Sequence, residues 1–370
     1  MKDQTSNKYS DTEEIPTIYI DSDKRLSIDL SNCKGHFISK LADAIPLINL
    51  YYKNGDFKKA YLLCELAIRF AKREDQSTEE FRRNLTVLYG LAGDACAENG
   101  DLIKSLKFYK SFQCLKMQLK TNLFKDTQSS ETIKLYQFRR FSNYTLTNLL
   151  NHEITLSSPK TMNDVFDSLI YQWLGSPIYG VSARHKKHLK PYKQSFDDYR
   201  IACFCEDCKE KGQYAIQNNL MWSHYADEHQ GFCIEYVFHR DDFRRDKLDE
   251  MTASRLFKMN YWDPDTDDPI DFSRLQSDNT LNPATAFLTK HKNWSYENEV
   301  RLLQYKPQEG ALRVQYKLCD RSKVSAIYFG YRCPEENIQI IKKLLSETCI
   351  RFYKMEVDYS NIFKFKLVEV

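Results

Sequence analysis

Two stretches in the first third of the chain repeat one pattern of apolar, small and polar residues. In each, apolar and aromatic side chains recur at helical spacing, a Gly-Asp pair interrupts them, and the helical pattern then resumes. The pairs are Gly55-Asp56 and Gly100-Asp101, so the pattern predicts two helical hairpins within residues 36–122. The small residues expected where paired helices pack closely are Ala60, Ala67, Gly93 and Ser105.

This layout resembles the tetratricopeptide repeat, and the resemblance implies a surface that binds a protein partner. The turn glycines are 45 residues apart (100 − 55), whereas the usual repeat is about 34 residues, so longer helices or a longer link are expected. An ordinary four-helix segment with Gly-Asp turns is the alternative. Residues 1–35 form an N-terminal extension, in which Thr17–Ile20 and Leu26–Leu30 fit either short strands or an extended arm.

The pattern changes after a polar link at residues 123–132. Short β-branched and aromatic runs now alternate with loops, which predicts an α+β domain over residues 133–370 with a predominantly antiparallel sheet. The predicted strands are Lys134–Phe138, Glu153–Leu156, Arg200–Phe204, Phe232–Phe238, Lys258–Tyr261, Glu299–Tyr305, Leu312–Lys317, Val324–Phe329 and Arg351–Val357. The predicted helices are Thr145–Asn151, Leu220–Glu228, Asn282–Lys290 and Glu335–Thr348.

Several short motifs in this half resemble a bacterial family, the domain of unknown function 2971. The motifs are Leu135–Phe141, Leu156–Pro159, Asn163–Asp167, Trp222–Asp227 with Gly231–Glu235, and Trp294–Arg301. Their order and spacing extend the resemblance over about residues 133–335. The chain departs from the family at Gln137, where a basic residue is usual, and at Val165, where a proline is usual.

Glu297 and Glu299 are the candidate catalytic residues. They are expected at the start of a strand that continues through Val300–Leu303, and residues i and i+2 of a strand share a face, so the two carboxylates are expected to converge. An arginine-bearing strand, an aromatic segment with Ser and His, and a late Glu-x-Glu strand follow the order found in ADP-ribosyltransferases, which this half also resembles. The open alternative places both glutamates on a solvated strand face, paired with Arg301 or a lysine.

The ADP-ribosyltransferase resemblance implies NAD as a substrate. Loss of nicotinamide leaves an oxocarbenium-like ribose, which Glu299 would stabilise, while Glu297 would orient or deprotonate the acceptor. The expected NAD-binding residues are Arg139 or Arg140 on the pyrophosphate, and Trp222, Ser223, His224 and Tyr225 around the nicotinamide.

Composition narrows the remaining possibilities. Lys and Arg (54) nearly balance Asp and Glu (51), so a nucleic-acid contact would have to be local, and the basic loop Arg184–Lys193 is its candidate. Eleven scattered cysteines indicate reduced thiols in the cytoplasm. No apolar run reaches the length of a membrane span, so no membrane association is expected.

A zinc site is the other chemistry that the cysteines suggest. Cys203, Cys205 and Cys208 are closely spaced, with His224 further along, but a second Cys-x-x-Cys pair is missing, so we expect no metal.

Two functions therefore stay open. The α+β domain is either an NAD-using transferase whose target the helices select, or a non-catalytic module of a sensor or scaffold that binds protein or nucleic acid.

Overall fold

The structure is a computed structural model, which describes residues 17–20, 26–29, 41–71, 78–118, 131–162, 164, 166–167, 191, 194–239, 242, 253–267, 287–305, 311–318, 322–361 and 364–370. The chain divides into two compact units. One comprises residues 1–115 with 180–195, and the other comprises residues 116–179 with 196–370.

The first unit contains the helices that the sequence predicts. They are α1 (Leu41–Lys53), α2 (Phe57–Ala71), α3 (Glu79–Glu98) and α4 (Leu102–Gln118). Gly55 and Gly100 adopt φ angles of 76° and 81°, a left-handed conformation that glycine enters without a steric penalty, and each ends a helix as expected. Before α1, β1 (Thr17–Ile20) and β2 (Leu26–Asp29) pair antiparallel, so these segments are strands.

Small side chains allow the helices α2, α3 and α4 to pack closely. Ala60, Ala67, Gly93 and Ser105 are all buried, as the sequence predicts. Gly93 lies against the ring of Tyr109, whose hydroxyl donates a hydrogen bond of 2.5 Å to Asp94. Whether this unit is a tetratricopeptide repeat, and whether it binds a protein partner, stay predictions.

The second unit is built on a mixed, mostly antiparallel sheet, which confirms the predicted α+β class. In chain order the strands are β3 (Thr132–Arg139), β4 (Glu153–Ser157), β5 (Tyr199–Cys205), β6 (Phe232–His239), β7 (Ala253–Lys258), β8 (Asn260–Trp262), β9 (Thr289–His291), β10 (Glu299–Tyr305), β11 (Arg313–Lys317), β12 (Lys323–Phe329), β13 (Arg351–Val357) and β14 (Phe365–Glu369). Within the described residues, ten of these form one sheet in the order β11-β4-β5-β3-β6-β12-β13-β14, with β10 added between β5 and β7. β8 and β9 form a separate parallel pair.

Among the described residues of this unit, three α-helices cover the two faces of the sheet: α5 (Asn143–Asn151), α6 (Asn219–Tyr225) and α7 (Glu335–Leu344). α5 and α7 pack on one face, where Leu149 and Ile338 join a core that includes Leu302 of β10. α6 packs on the opposite face through Met221 and Trp222. α7 also connects β12 to β13, which is why those two strands are parallel.

Three predicted helices differ from the structure, and one of them, α7, ends at Leu344 instead of Thr348. α6 ends at Tyr225 instead of Glu228, because Asp227, Glu228 and His229 have positive φ angles that an α-helix excludes. The prediction of a helix over Asn282–Lys290 is wrong at its end, since Thr289 and Lys290 belong to β9 and pair with β8. Residues 282–286 lie outside the described part of the chain.

The basic loop Arg184–Lys193 lies outside the described residues except for Pro191, so its predicted contact with nucleic acid stays a prediction. Of the helices that the structure describes, none is both long and apolar enough to cross a bilayer.

The packing at Gly93 gives a test of the helical unit. A Cβ there would lie 2.7 Å from Cε1 of Tyr109, so we expect Gly93→Ala to lower the free energy of unfolding by about 1 kcal/mol, despite the better helix propensity of alanine. Gly90→Ala is the control, because its Cβ would be 3.3 Å from the Phe112 ring, which can adjust. Chemical denaturation followed by helical circular dichroism measures both, and equal effects would contradict this packing.

Candidate functional site

A cavity of about 480 Å³ opens where the sheet of the second unit splits. β5 pairs along its whole length with β10, but its other edge meets β3 only at Tyr136–Cys205 and β4 only at Ser157–Ile201. Between these two points the edge of β5 has no strand beside it. The side chain of Gln137 crosses the gap and donates a hydrogen bond of 3.0 Å to the carbonyl oxygen of Cys203.

The cavity wall carries an excess of charged side chains for a site of this size. Five are basic: Arg139, Arg140, Lys290, Arg301 and Arg313. Four are acidic: Asp164, Asp167, Glu297 and Glu299. Except for Asp164, these residues divide into a group of cations and carboxylates that pair with one another and a group of arginines that form no ion pair among the described residues.

Arg301 is the centre of the paired group. Alternation along β10 places Val300 and Leu302 in the core, and therefore turns Glu299 and Arg301 to the opposite face. The guanidinium is fully buried and donates two hydrogen bonds to Asp167, at 2.7 and 2.6 Å. It donates two more to Glu299, at 2.7 and 3.3 Å, and one of 2.7 Å to the carbonyl oxygen of Phe287.

Lys290 is the second cation of the group and joins the two glutamates. Its ammonium lies 2.6 Å from Oε2 of Glu297 and 3.2 Å from Oε2 of Glu299. It also lies 4.8 Å from the centre of the Trp294 ring, at cation–π distance. Tyr225 donates a hydrogen bond of 2.6 Å to the other oxygen of Glu297.

The two glutamates differ in protonation behaviour. Burial raises the pKa of Glu299, but the charges of Arg301 and Lys290 outweigh burial and bring this pKa to about 2. Burial also raises the pKa of Glu297; Lys290 opposes that effect and the charge of Glu299 adds to it, so this pKa stays above its usual value. The fold therefore favours ionised Glu299 and disfavours ionised Glu297.

The unpaired group consists of Arg139, Arg140 and Arg313. None of these guanidiniums forms an ion pair within the part of the chain that the structure describes. Burial lowers the pKa of Arg139, and the positive charge of Arg313 lowers it further. Arg313 itself lies 5.8 Å from the centre of the Tyr144 ring. Three cations of the cavity lining are thus left without an ion-pair partner among the described residues.

The predicted site residues fall into two sets. Glu297, Glu299, Arg139, Arg140 and Tyr225 line the one cavity, although more than 150 positions separate the first arginine from the glutamates. Glu297 is not on the strand as expected: it ends a short 3₁₀ helix, Lys292–Glu297, and left-handed Asn298 separates it from β10.

The other predicted residues lie outside the cavity lining. Trp222 is fully buried beneath it, where its indole nitrogen donates a hydrogen bond of 2.7 Å to the Ile216 carbonyl and its ring packs edge-on against Phe138. Ser223 is exposed and shares a hydrogen bond with His229. His224 is also exposed.

Several residues of the site were not predicted from the sequence. Arg301 shares a strand face with Glu299, so the same alternation that selected the glutamates also selects it. Asp167 and Trp294 occur in the recognised motifs but have no chemistry of their own that singles them out. The sequence pattern predicts Lys290 at the end of a helix, and Arg313 belongs to no motif. Neither residue is therefore marked in the sequence as part of a site.

The cysteine cluster lies along one side of this region. Cys203 and Cys205 share the cavity-facing side of β5, and Cys203 donates a hydrogen bond to Glu299. Burial and the charge of Glu299 raise the pKa of the Cys203 thiol, which keeps it protonated. Among the described residues, no three potential metal-ligating side chains come together. The absence of a structural metal stays a prediction.

Comparison with known proteins gives one match. Residues 221–302 match the family described as protein of unknown function (DUF2971). The match covers less than a quarter of the chain, but it contains Tyr225, Lys290, Glu297, Glu299 and Arg301. No curated protein and no solved structure matches the chain. The resemblance to this family is therefore confirmed over 221–302.

The burial of Arg301 yields a stability prediction. We expect Arg301→Met to lower the free energy of unfolding by about 3–5 kcal/mol, because it leaves Glu299 and Asp167 buried without their counter-charge. Arg83→Met, which breaks the exposed pair with Glu79, should cost less than about 1 kcal/mol. Denaturant titration compares the two, and a small loss for Arg301→Met would show that the network is not a structural support.

The low pKa of Glu299 yields a second prediction, on pH. The pKa of Glu299 is about 2 in the folded protein and 4.5 in the unfolded chain. The stability that Glu299 contributes is therefore fully present above pH 4.5 and is lost as the pH falls toward 2. The difference corresponds to roughly 3 kcal/mol. Wild-type stability should therefore fall more steeply across this window than that of Glu299→Gln. Glu356→Gln, at an exposed pair with Lys366, should keep the wild-type slope. Parallel curves for wild type and Glu299→Gln would contradict the assignment.

Proposed function

We propose that the cavity of the second unit binds NAD and breaks the bond between its nicotinamide and ribose. The observation that carries this proposal is the uneven arrangement of charge. Arg139, Arg140 and Arg313 line the cavity without an ion-pair partner among the described residues, whereas Glu297 and Glu299 share Lys290 in the same lining. Such a cavity suits a ligand that is anionic at one end and becomes cationic at the other. Its volume of about 480 Å³ also falls in the range of small-molecule sites.

The unpaired arginines are the proposed ligands of the pyrophosphate. Guanidiniums bind phosphate oxygens through two parallel hydrogen bonds, which fixes both position and orientation. A partly buried arginine without a carboxylate is costly for the free protein, so an anionic ligand at Arg139 would remove an existing penalty. Arg139 is therefore the proposed main contact of the pyrophosphate, and Arg140 and Arg313 are supporting contacts.

Glu297, not Glu299, is the carboxylate that we assign to the ribose. Glu299 already accepts hydrogen bonds from Arg301, Lys290 and Cys203, so its acceptor positions are occupied. Within the described residues, Glu297 accepts hydrogen bonds from Tyr225 and Lys290 alone, which leaves lone pairs of its carboxylate unoccupied there. Because the fold disfavours the charge of Glu297, a developing positive charge beside it would be strongly attracted. Glu299 then acts as a positioning residue that holds Lys290 and Arg301.

A half-buried aromatic ring is available for the nicotinamide. Tyr225 and Trp294 both line the cavity and are only partly buried. Trp222 is packed on both sides and is better suited to supporting α6 from beneath. We propose that the ring of Tyr225 or Trp294 stacks on the nicotinamide, because the flat aromatic ring of nicotinamide can stack on an aromatic side chain.

The reaction is a nucleophilic displacement at the ribose C1′. The bond between C1′ and the nicotinamide nitrogen breaks, and its electron pair leaves with neutral nicotinamide. The oxygen of water or of an acceptor forms the new bond to C1′, and its proton passes to Glu297 or to solvent. Water as acceptor would give a hydrolase, and a protein or nucleic-acid acceptor would give a transferase.

A binding module without turnover is the second candidate. The full occupation of Glu299 by donors favours it, because a saturated carboxylate performs no chemistry. In that case the cavity would still bind an anionic ligand at its arginines, and Glu297 would contribute only to structure.

Replacement of Glu297 separates these candidates. We expect Glu297→Gln to keep the fold and the affinity for NAD but to lower nicotinamide release at least 100-fold, which is about 3 kcal/mol of transition-state stabilisation. The neutral glutamine should be tolerated because the fold already disfavours charge at this position. Glu299→Gln should instead lower stability. Nicotinamide is measured by chromatography after incubating the purified full chain with NAD and cell lysate.

Two results would contradict the proposal. A wild-type protein that binds NAD without releasing nicotinamide would support the binding module. A protein that neither binds nor consumes NAD would exclude NAD as the ligand of this cavity.

A further inference from the structure

A second cavity, of about 490 Å³, lies in the same unit at a place where four strands begin or end. His152 precedes β4, Lys317 ends β11, Lys323 begins β12 and Arg351 begins β13. All four side chains line this cavity. Neither the family match nor the proposed NAD site includes these residues.

The charge of this second cavity has one sign. Among the residues that the structure describes, its lining contains two lysines, one arginine and one histidine, and no acidic side chain. None of the four forms an ion pair within the described part of the chain. Glu153 lies opposite Lys317 in the sheet register but is not part of the lining. Like charges gathered in one concave site repel each other, so a polyanion would stabilise this arrangement.

The floor of the cavity differs from its rim. Leu318 and Val324 are buried there and Ile350 is half-buried, so the floor is apolar while the cations are exposed at the edge. The hydroxyl of Ser322 is already engaged by Asp242 and by the backbone N–H of His239. The cations are thus the groups available to a charged ligand, and the apolar floor is available to a flat, uncharged part of it.

We propose that this cavity binds a ligand carrying a chain of three or more phosphate groups, such as a nucleoside triphosphate or inorganic polyphosphate. Lys317, Lys323 and Arg351 are cationic at neutral pH, and His152 adds a hydrogen-bond donor, so the cavity suits about three to four negative charges. NAD carries only two phosphates and a positive ring, and it fits this site poorly. The inference is independent of the proposed NAD chemistry.

Cys349 provides a local readout of occupancy. It is exposed and lines the second cavity, so a bound polyphosphate would shield it. The experiment measures the rate at which iodoacetamide alkylates Cys349 in the full chain, by peptide mass spectrometry, at low ionic strength and without magnesium. The probes are ATP, inorganic tripolyphosphate, adenosine and NAD. Cys208, outside this cavity, is the internal reference.

We expect ATP or tripolyphosphate to slow alkylation of Cys349 at least fivefold while leaving Cys208 unchanged. Protection by both compounds would show that the phosphate chain is sufficient for binding. Protection by ATP alone would show that binding also needs the adenine base on the apolar floor. Lys323→Gln with Arg351→Gln should abolish protection, whereas Lys209→Gln with Lys211→Gln, exposed lysines elsewhere, should retain it.

The proposal is overturned if neither phosphate compound protects Cys349. It is also overturned if the Lys323 and Arg351 double variant is protected like the wild type, or if NAD and adenosine protect equally well. Arg139→Gln should leave protection intact, since Arg139 lines only the first cavity.

Discussion

The guanidinium of Arg301 is the interaction on which the candidate site depends. Three of its five hydrogen bonds tie β10 to Asp167 and to the carbonyl of Phe287, and the other two go to Glu299 of the same strand. Among the described residues, no strand pairing connects β10 to those two segments. A fully buried charge is stable only when its donors are satisfied and its counter-charges are close. Arg301 meets both conditions by recruiting Glu299 and Asp167, and this requirement determines which carboxylates remain available for other contacts.

The consequence is a division of roles between adjacent glutamates. Glu299 is held by Arg301 and Lys290 and has a low pKa, whereas Glu297, on the far side of left-handed Asn298, has a raised pKa and unoccupied acceptor positions. Lys290 connects the two. The paired network does not include Arg139, whose guanidinium lines the same cavity without an ion-pair partner among the described residues. One cavity thus contains both a paired group and unpaired cations.

Much of this arrangement follows from local sequence patterns. The strand Glu299–Tyr305 has the bounds that its apolar run predicts, and β13 likewise matches its predicted range. The turn glycines Gly55 and Gly100 mark the helix ends because only their left-handed backbone fits there. These features depend on neighbours in the chain, and periodicity and turn chemistry report them directly.

Other features depend on contacts between distant segments. Trp222 was expected at the ligand but lies beneath the cavity, because the indole finds its hydrogen-bond acceptor at Ile216 and its packing partner on β3. Lys290 is in β9 only because β8 pairs with it. The gap between β3 and β5, which creates the cavity, comes from two strands sharing one edge. The separation of these two strands leaves no periodic pattern of apolar and polar residues in the sequence.

The proposed function depends on the binding of the NAD pyrophosphate by Arg139, with Arg140 and Arg313 as supporting contacts. It is tested most directly by the dissociation constant of NAD for Arg139→Gln, measured by calorimetric titration of the full chain beside the wild type and the Lys323 and Arg351 double glutamine variant. We expect at least tenfold weaker binding for Arg139→Gln and wild-type affinity for the double variant. Wild-type affinity in Arg139→Gln, with its fold intact, would contradict the account.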